Sequence, residues 1–139
     1  MPDIGGTIRT HVLADAGISA TIGTRMYSDF LPQGSALPAI TYQVVDTLPN
    51  ETLSGIADVS RARLQIDSYA TTRASANLLA DAVRLVLEKY RGVVSGQFIN
   101  EINLATGEVY AIDRPASGSD ERRFITTLDF YVFYRTTTS

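Results

Sequence analysis

From Leu37 to Asp67 the chain reads LPAITYQVVDTLPNETLSGIADVSRARLQID, two strand-like runs separated by a long polar loop. The second run constrains the fold most. Between Val59 and Ala70, Ala62, Leu64, Ile66 and Ser68 alternate with Arg61, Arg63, Gln65, Asp67 and Tyr69. Successive side chains of a strand leave opposite faces, so this order predicts a sheet with one covered face and one wetter face. The first run, Ala39 to Thr47, alternates as well. It puts Ile40, Tyr42 and Val44 on one side and Thr41, Gln43 and Val45 on the other. Pro38 stands at the strand start, where a missing N–H donor costs little.

A helix pattern follows at once, from about Thr72 to Tyr90. Leu78, Leu79, Ala82, Val83, Val86, Leu87 and Tyr90 form an apolar stripe at helical spacing, which predicts packing across the apolar face of the sheet. Asn77, Asp81, Arg84 and Glu88 take the opposite side, with Asp81–Arg84 and Arg84–Glu88 at pairing distance along the helix. Thr71 or Thr72 can cap its start, and Arg91-Gly92 supplies a stop. A shorter helix is expected from Thr7 to Ala16, capped at its end by Gly17, with Ile8, Val12 and Leu13 on one face. Arg25 to Tyr27 should be extended, and Asp29 to Ser35, with Pro32 and Gly34, a loop.

Beyond the long helix, strands are predicted over Gln97 to Leu104 and Glu108 to Arg114, joined as a hairpin through Ala105-Thr106-Gly107. A turn-rich connection leads to the last strand, Arg122 to Arg135. Phe124, Leu128, Phe130, Val132 and Tyr134 make one row of it; Ile125, Tyr131 and Phe133 populate the other. A strand apolar on both sides is either covered twice or has an outer face that meets a neighbour. The order α-β-β-α-β-β-β describes an α+β fold, a mostly antiparallel β-sheet with helices packed on one face, and residues 1–139 read as a single domain.

Composition narrows the function classes. A chain of 139 residues can bury about 65–70% of the surface that it exposes when unfolded. Its 45% hydrophobic and 19% charged residues are an ordinary globular balance and not that of a disordered chain. Without cysteine there is no disulfide and no thiolate metal site. A net charge of −3 opposes a surface built to neutralise phosphates; the basic pairs Arg61/Arg63 and Arg122/Arg123 both have acidic neighbours. MPDIGGTIRTHVLADAGISA has neither the basic start nor the apolar run of a signal peptide, and no stretch approaches the ~20 apolar residues of a membrane span. The expected partners are other proteins, with no membrane.

Groups for catalysis are scarce. His11 is the one histidine, and it has no compelling acid partner in the sequence. Asp113, Asp120 and Glu121 read as solubilising residues around a turn. Gly5-Gly6-Thr7 lacks the preceding strand and the lysine of a phosphate loop, and Ser54-Gly55 lacks the nucleophile-elbow pattern. Tyr42, Tyr69, Tyr131 and Tyr134 have the spacing of strand aromatics in a core. No catalytic, cofactor-binding or metal site is expected. Two features remain. The loop from Asp46 to Asp58 carries Leu48, Leu53 and Ile56 among polar residues that include Asn50 and Glu51; it either meets a partner or folds back on its own domain. The row Ile125, Tyr131, Phe133 is either buried beneath the N-terminal helix or a subunit contact. The candidate interface is therefore Leu48, Asn50, Glu51, Leu53, Ile56, Asp58, Ile125, Tyr131 and Phe133.

Taken in order, Pro38-Ala39-Ile40-Thr41-Tyr42-Gln43, Thr52-Leu53-Ser54-Gly55, Arg63-Leu64-Gln65-Ile66-Asp67-Ser68-Tyr69-Ala70 and the alanine-rich helix after Arg73 resemble the tail completion, or tail terminator, family of long-tailed bacteriophages and phage-like particles. Ile22-Gly23-Thr24-Arg25-Met26-Tyr27, Leu31-Pro32-Gln33-Gly34 and the closing strand from Arg123 to Tyr134 fit the same pattern. The resemblance implies a small α+β subunit that forms a six-membered ring, caps the tail tube when elongation ends and joins it to the head. Its implied partners are copies of itself, the tail tube protein and a head-completion or connector protein, with DNA only passing through the channel. It implies no catalysis and no cofactor, assembly in the host cytoplasm, and a place in the virion at the head–tail junction. Of its residues, only the loop Thr47 to Asp58 carries over, as a contact element. A closed ring joins one subunit face to a different face of the next and needs apolar groups that a monomer would not keep exposed. On the residues alone, a connector or tube subunit, or a small-molecule-binding or enzymatic α+β domain with a polar-lined pocket, remain alternatives.

Overall fold

The computed structural model describes residues 3–49, 59–113 and 122–135. Its elements are α1 (Ile4–Leu13), α2 (Ala16–Ile22), β1 (Met26–Ser28), β2 (Ala39–Pro49), β3 (Val59–Ala70), α3 (Arg73–Leu87), β4 (Gly92–Val94), β5 (Gln97–Leu104), β6 (Val109–Asp113) and β7 (Arg123–Arg135). This is the expected α+β order with three short elements added, α2, β1 and β4.

The strands form one sheet in the order β1-β2-β3-β7-β5-β4, with β6 also pairing β7. Among the described residues only the β1–β2 pair is parallel. The central pair is β3 and β7, in register from Val59 opposite Arg135 to Ala70 opposite Phe124. On the other side of β3, Tyr42 stands opposite Ile66 and Val44 opposite Leu64. A bulge at Val45 then shifts the phase, so that Thr47 faces Ala62 and Leu48 faces Arg61.

The expected hairpin is absent. β5 and β6 do not pair with each other; both run antiparallel to β7, β5 along Phe130 to Tyr134 and β6 along Arg123 to Thr127. The Ala105 N–H donates to the Asp129 carbonyl at 2.7 Å where one ends. A hairpin turn reverses the chain, whereas Ala105 to Glu108 carries it onward along the same neighbour. The reason is length: β7 has 13 residues, enough to offer partners to the 8 of β5 and the 5 of β6 in succession.

The helix ends also differ from expectation. Asp3 caps α1, its side chain accepting from the Gly6 N–H at 3.0 Å, so Gly5-Gly6-Thr7 lies inside the helix. A Cβ on Gly5 would come within 2.9 Å of the Tyr42 ring, which explains the glycine where α1 crosses β2. Asp15 caps a second helix, and Gly17 sits in its first turn instead of ending the first. Thr72 caps α3 as expected. That helix ends at Leu87, short of Tyr90, and Arg84 pairs with Glu88 at 2.6 Å. Its buried row is Ala76, Leu79, Ala80, Val83 and Leu87, while Leu78 is 70% exposed. The small side chains of Ala76 and Ala80 let the helix lie close on the sheet, and that turns Leu78 outward.

The core lies between this helix layer and one face of the sheet. Ile8, Val12, Ile18, Ile22, Leu79 and Val83 meet Ile40, Leu64, Ile66, Ile102, Leu128, Phe130 and Val132 there. These strand positions are the apolar rows read from the alternation. No described helix is long and apolar enough to cross a membrane.

Candidate functional site

The alternate strand residues leave the sheet on the side away from the helices. The register sets them side by side: Arg61 next to Phe133, Arg63 next to Tyr131, Gln65 next to Asp129, Asp67 next to Thr127, and Tyr69 next to Ile125. β5 continues the face with Glu101 beside Phe133 and Asn103 beside Tyr131. Because of the Val45 bulge, β2 adds Leu48 beside Arg61 and Asp46 beside Arg63. One row thus crosses four strands as Leu48, Arg61, Phe133 and Glu101.

No described helix covers this face. α1 packs on β2, β4 and the other two helices, and the strand residues in the core all belong to the opposite rows. Burial of Ile125, Tyr131 and Phe133 beneath the N-terminal helix is therefore overturned. Each is instead partly shielded by its neighbours on the same face.

Those neighbours are wired together. Arg63 Nη2 donates to Asp129 Oδ2 at 2.8 Å, and this hydrogen bond, with the carboxylate charge, raises the Arg63 pKa above its ordinary value. The Arg61 guanidinium lies 4.6 Å from the centre of the Tyr131 ring, in cation–π range. The Thr127 hydroxyl donates to Asp67 at 2.5 Å. Burial pushes the Tyr69 phenol above its usual pKa, against a long hydrogen bond from Thr41. Three buried polar atoms here, Arg61 Nε, Arg63 Nε and Asp129 Oδ1, have no hydrogen-bond partner among the described residues. Buried polar atoms are normally satisfied, by protein or by water. A face of aromatic rings, forked cations and half-used acceptors is suited to contact, since aromatics and arginine are the residues enriched at protein interfaces.

Of the sequence candidates, the structure brings Leu48, Ile125, Tyr131 and Phe133 to this one face, with Leu48 53% exposed. Thr47, Leu48 and Pro49 belong to β2 and not to a loop. Asn50, Glu51, Leu53, Ile56 and Asp58 lie outside the described residues. Arg61, Arg63 and Asp129 join this face although they are not among those candidates; the first two stand in the sequence as every second residue of a half-buried strand.

Nothing comparable gathers for catalysis among the described residues. His11 Nε2 lies 3.3 Å from the Val86 carbonyl, and its ring is 4.0 Å from that of Tyr90, so the imidazole is spent on packing between helices. No three described His, Asp or Glu side chains are placed to hold a metal ion. A cleft of about 270 Å³ between α2 and α3 is lined by Ile18, Leu78, Leu79 and Ala82, with hydroxyls from Thr21 and Ser75 but no titratable group.

The sequence from residue 6 to residue 116 matches the family described as tail completion protein gp17. The chain belongs to that family. Its fold recurs in a chain of the virion of a native gene transfer agent particle, with a TM-score of 0.66, 20% identity, and coverage of 97% of this chain and 99% of that one. No curated protein matches the sequence. Membership makes this a structural tail protein of the virion.

Proposed function

We propose that this tail completion protein is the terminator subunit of its tail: six copies close into a ring that caps the tail tube when elongation stops and offers the surface to which the head is joined. The observation that carries the reading is the helix-free face, where Leu48, Ile125, Tyr131 and Phe133 stand among paired charges. That face and the segment carrying Asn50, Glu51, Leu53, Ile56 and Asp58 form the contact surface for a neighbouring copy, the tube protein or the head connector. A partner on this face would supply the hydrogen bonds that Asp129 Oδ1 and Arg61 Nε leave unused. No catalytic step is part of the function, and DNA only passes through the ring.

The test is to image the purified protein alone and mixed with tail tubes. Rings, and tubes ending in a ring-shaped cap, are the expected result. A protein that stays monomeric at high concentration and leaves tube ends bare refutes the proposal. Leu53→Ser combined with Ile56→Ser should leave the monomer folded and weaken docking; loss of stability with docking intact would assign that segment to the core.

A further inference from the structure

We propose that β6 of one copy pairs, as an antiparallel strand, with the open half of β2 in the next copy, so that neighbouring sheets join edge to edge. This rests on the ring reading above and says which strands make the ring.

Among the described residues β6 pairs only β7, so its outer edge carries N–H and C=O groups without strand partners. Val109, Tyr110 and Ile112 are 56%, 54% and 58% exposed, which puts apolar groups on both faces of that edge. Soluble proteins blunt such edges with lysine, proline, a bulge or a covering element, because a bare one recruits other chains. The sequence of β6, VYAID, has neither lysine nor proline and consists largely of strong strand formers. An edge left in this state is a docking strand.

The complementary edge lies at the other end of the sheet. β1 covers β2 only from Ile40 to Tyr42; from Gln43 to Pro49, β2 pairs only β3 among the described residues. Val45 and Leu48 on this half are 45% and 53% exposed; the bulge at Val45 and Pro49 at its end are edge-blunting features, so of the two edges that of β6 is the bare one. Two different open edges at opposite ends of one sheet make a head-to-tail contact, the kind that closes into rings.

Strand direction agrees. β2, β3, β7 and β6 alternate in direction, because each successive pair is antiparallel. β6 therefore runs opposite to β2. Copies related by rotation about an axis near the strand direction keep their polarity, so β6 meets the next β2 antiparallel, with both helix layers on the same side. The offset agrees too. β6 lies beside the part of β7 that faces Ala39 to Thr41 across β3, whereas the open half of β2 begins at Gln43. Joining the two shifts each copy along the strands relative to the last, and closing a sheet into a barrel requires such a stagger.

Two edge-blocking substitutions test this. Ile112→Lys places a charge on β6 and Val45→Lys one on the open half of β2; both side chains are exposed, so the melting temperature should hardly move. Val109→Lys serves as a second block on β6, so that a folding defect at one position does not decide the result. Each variant alone should lose rings and sediment as a monomer. An equimolar mixture should give heterodimers and no rings, since one variant keeps β2 intact and the other keeps β6. Rings that persist in the folded Ile112→Lys and Val109→Lys proteins overturn the pairing while leaving the ring itself standing. Dimers of Val45→Lys alone would show β6 pairing with β6 and overturn it as well. If the unaltered protein forms no ring, the ring reading fails and takes this pairing with it.

Discussion

Phe130 and Phe133 lie three positions apart on β7 and leave it on opposite faces, so truncating each to alanine separates the two sides of the sheet with one chemistry. Phe130 is fully buried against the helix layer. Removing its ring leaves a cavity among Leu64, Leu104 and the helices, and such a change costs about 3–5 kcal/mol. For a chain of 139 residues that lowers the melting temperature by about 10–15 °C. Among the described residues Phe133 rests on neighbours of its own face, Arg61 and Glu101 beside it, with no described helix above. Its truncation should cost about 1–2 kcal/mol, from the apolar area that those neighbours shield, and lower the melting temperature by no more than about 7 °C. The assay is thermal unfolding by circular dichroism, run with size analysis of the assembled protein. Phe133→Ala should remain well folded and assemble poorly, whereas Phe130→Ala should mainly lose stability. If Phe133→Ala destabilises the isolated chain as much as Phe130→Ala does, its own chain covers the face and the interface argument fails.

Two glycines in helices should respond with opposite signs. Gly17→Ala meets only the Asp15 carboxylate at 3.3 Å and should gain about 0.5–1 kcal/mol in chemical denaturation from helix propensity. Gly5→Ala must push its Cβ against Tyr42 and Val44, at 2.9 and 3.2 Å, and overpacking of that kind costs about 1–3 kcal/mol, enough to reverse the propensity gain. A stabilised Gly5→Ala protein would show that α1 can lift from β2. The Glu88 carboxyl should titrate below the ordinary glutamate range, because the hydrogen bond from Arg84 favours its charged form. A depressed folded-state pKa stabilises the fold above the unfolded value, so this contribution is present near neutral pH and fades as acid protonates Glu88. Arg84→Ala should return the midpoint, followed by NMR, to the ordinary range; an unmoved midpoint would mean that the pair does not form.

What the sequence determined by itself is what depends on neighbours a few positions away. The alternation from Val59 to Ala70 settled which side chains of β3 enter the core, because a strand has period two whatever it pairs with. The Thr72 cap and the Arg84–Glu88 pair were legible for the same reason: each is complete within one helical turn. Those patterns, in their order, also carried the family. Pairing partners were not local. The residues Ala105-Thr106-Gly107 have the chemistry of a hairpin turn, yet β5 and β6 each found a better-placed neighbour in β7, distant in the chain and long enough for both. Leu78 fits the apolar stripe of α3 until the sheet selects which sector of the helix to bury, and Ala76 and Ala80 win that place because they allow closer approach. The contact face follows the same division. Its residues were visible as every second position of two strands, but the row of Leu48, Arg61, Phe133 and Glu101 exists only after three pairings, with the bulge at Val45 and a second register shift between Ile99 and Glu101, set four segments side by side. Local periodicity chooses the face on which a side chain lies; only tertiary pairing chooses what lies beside it.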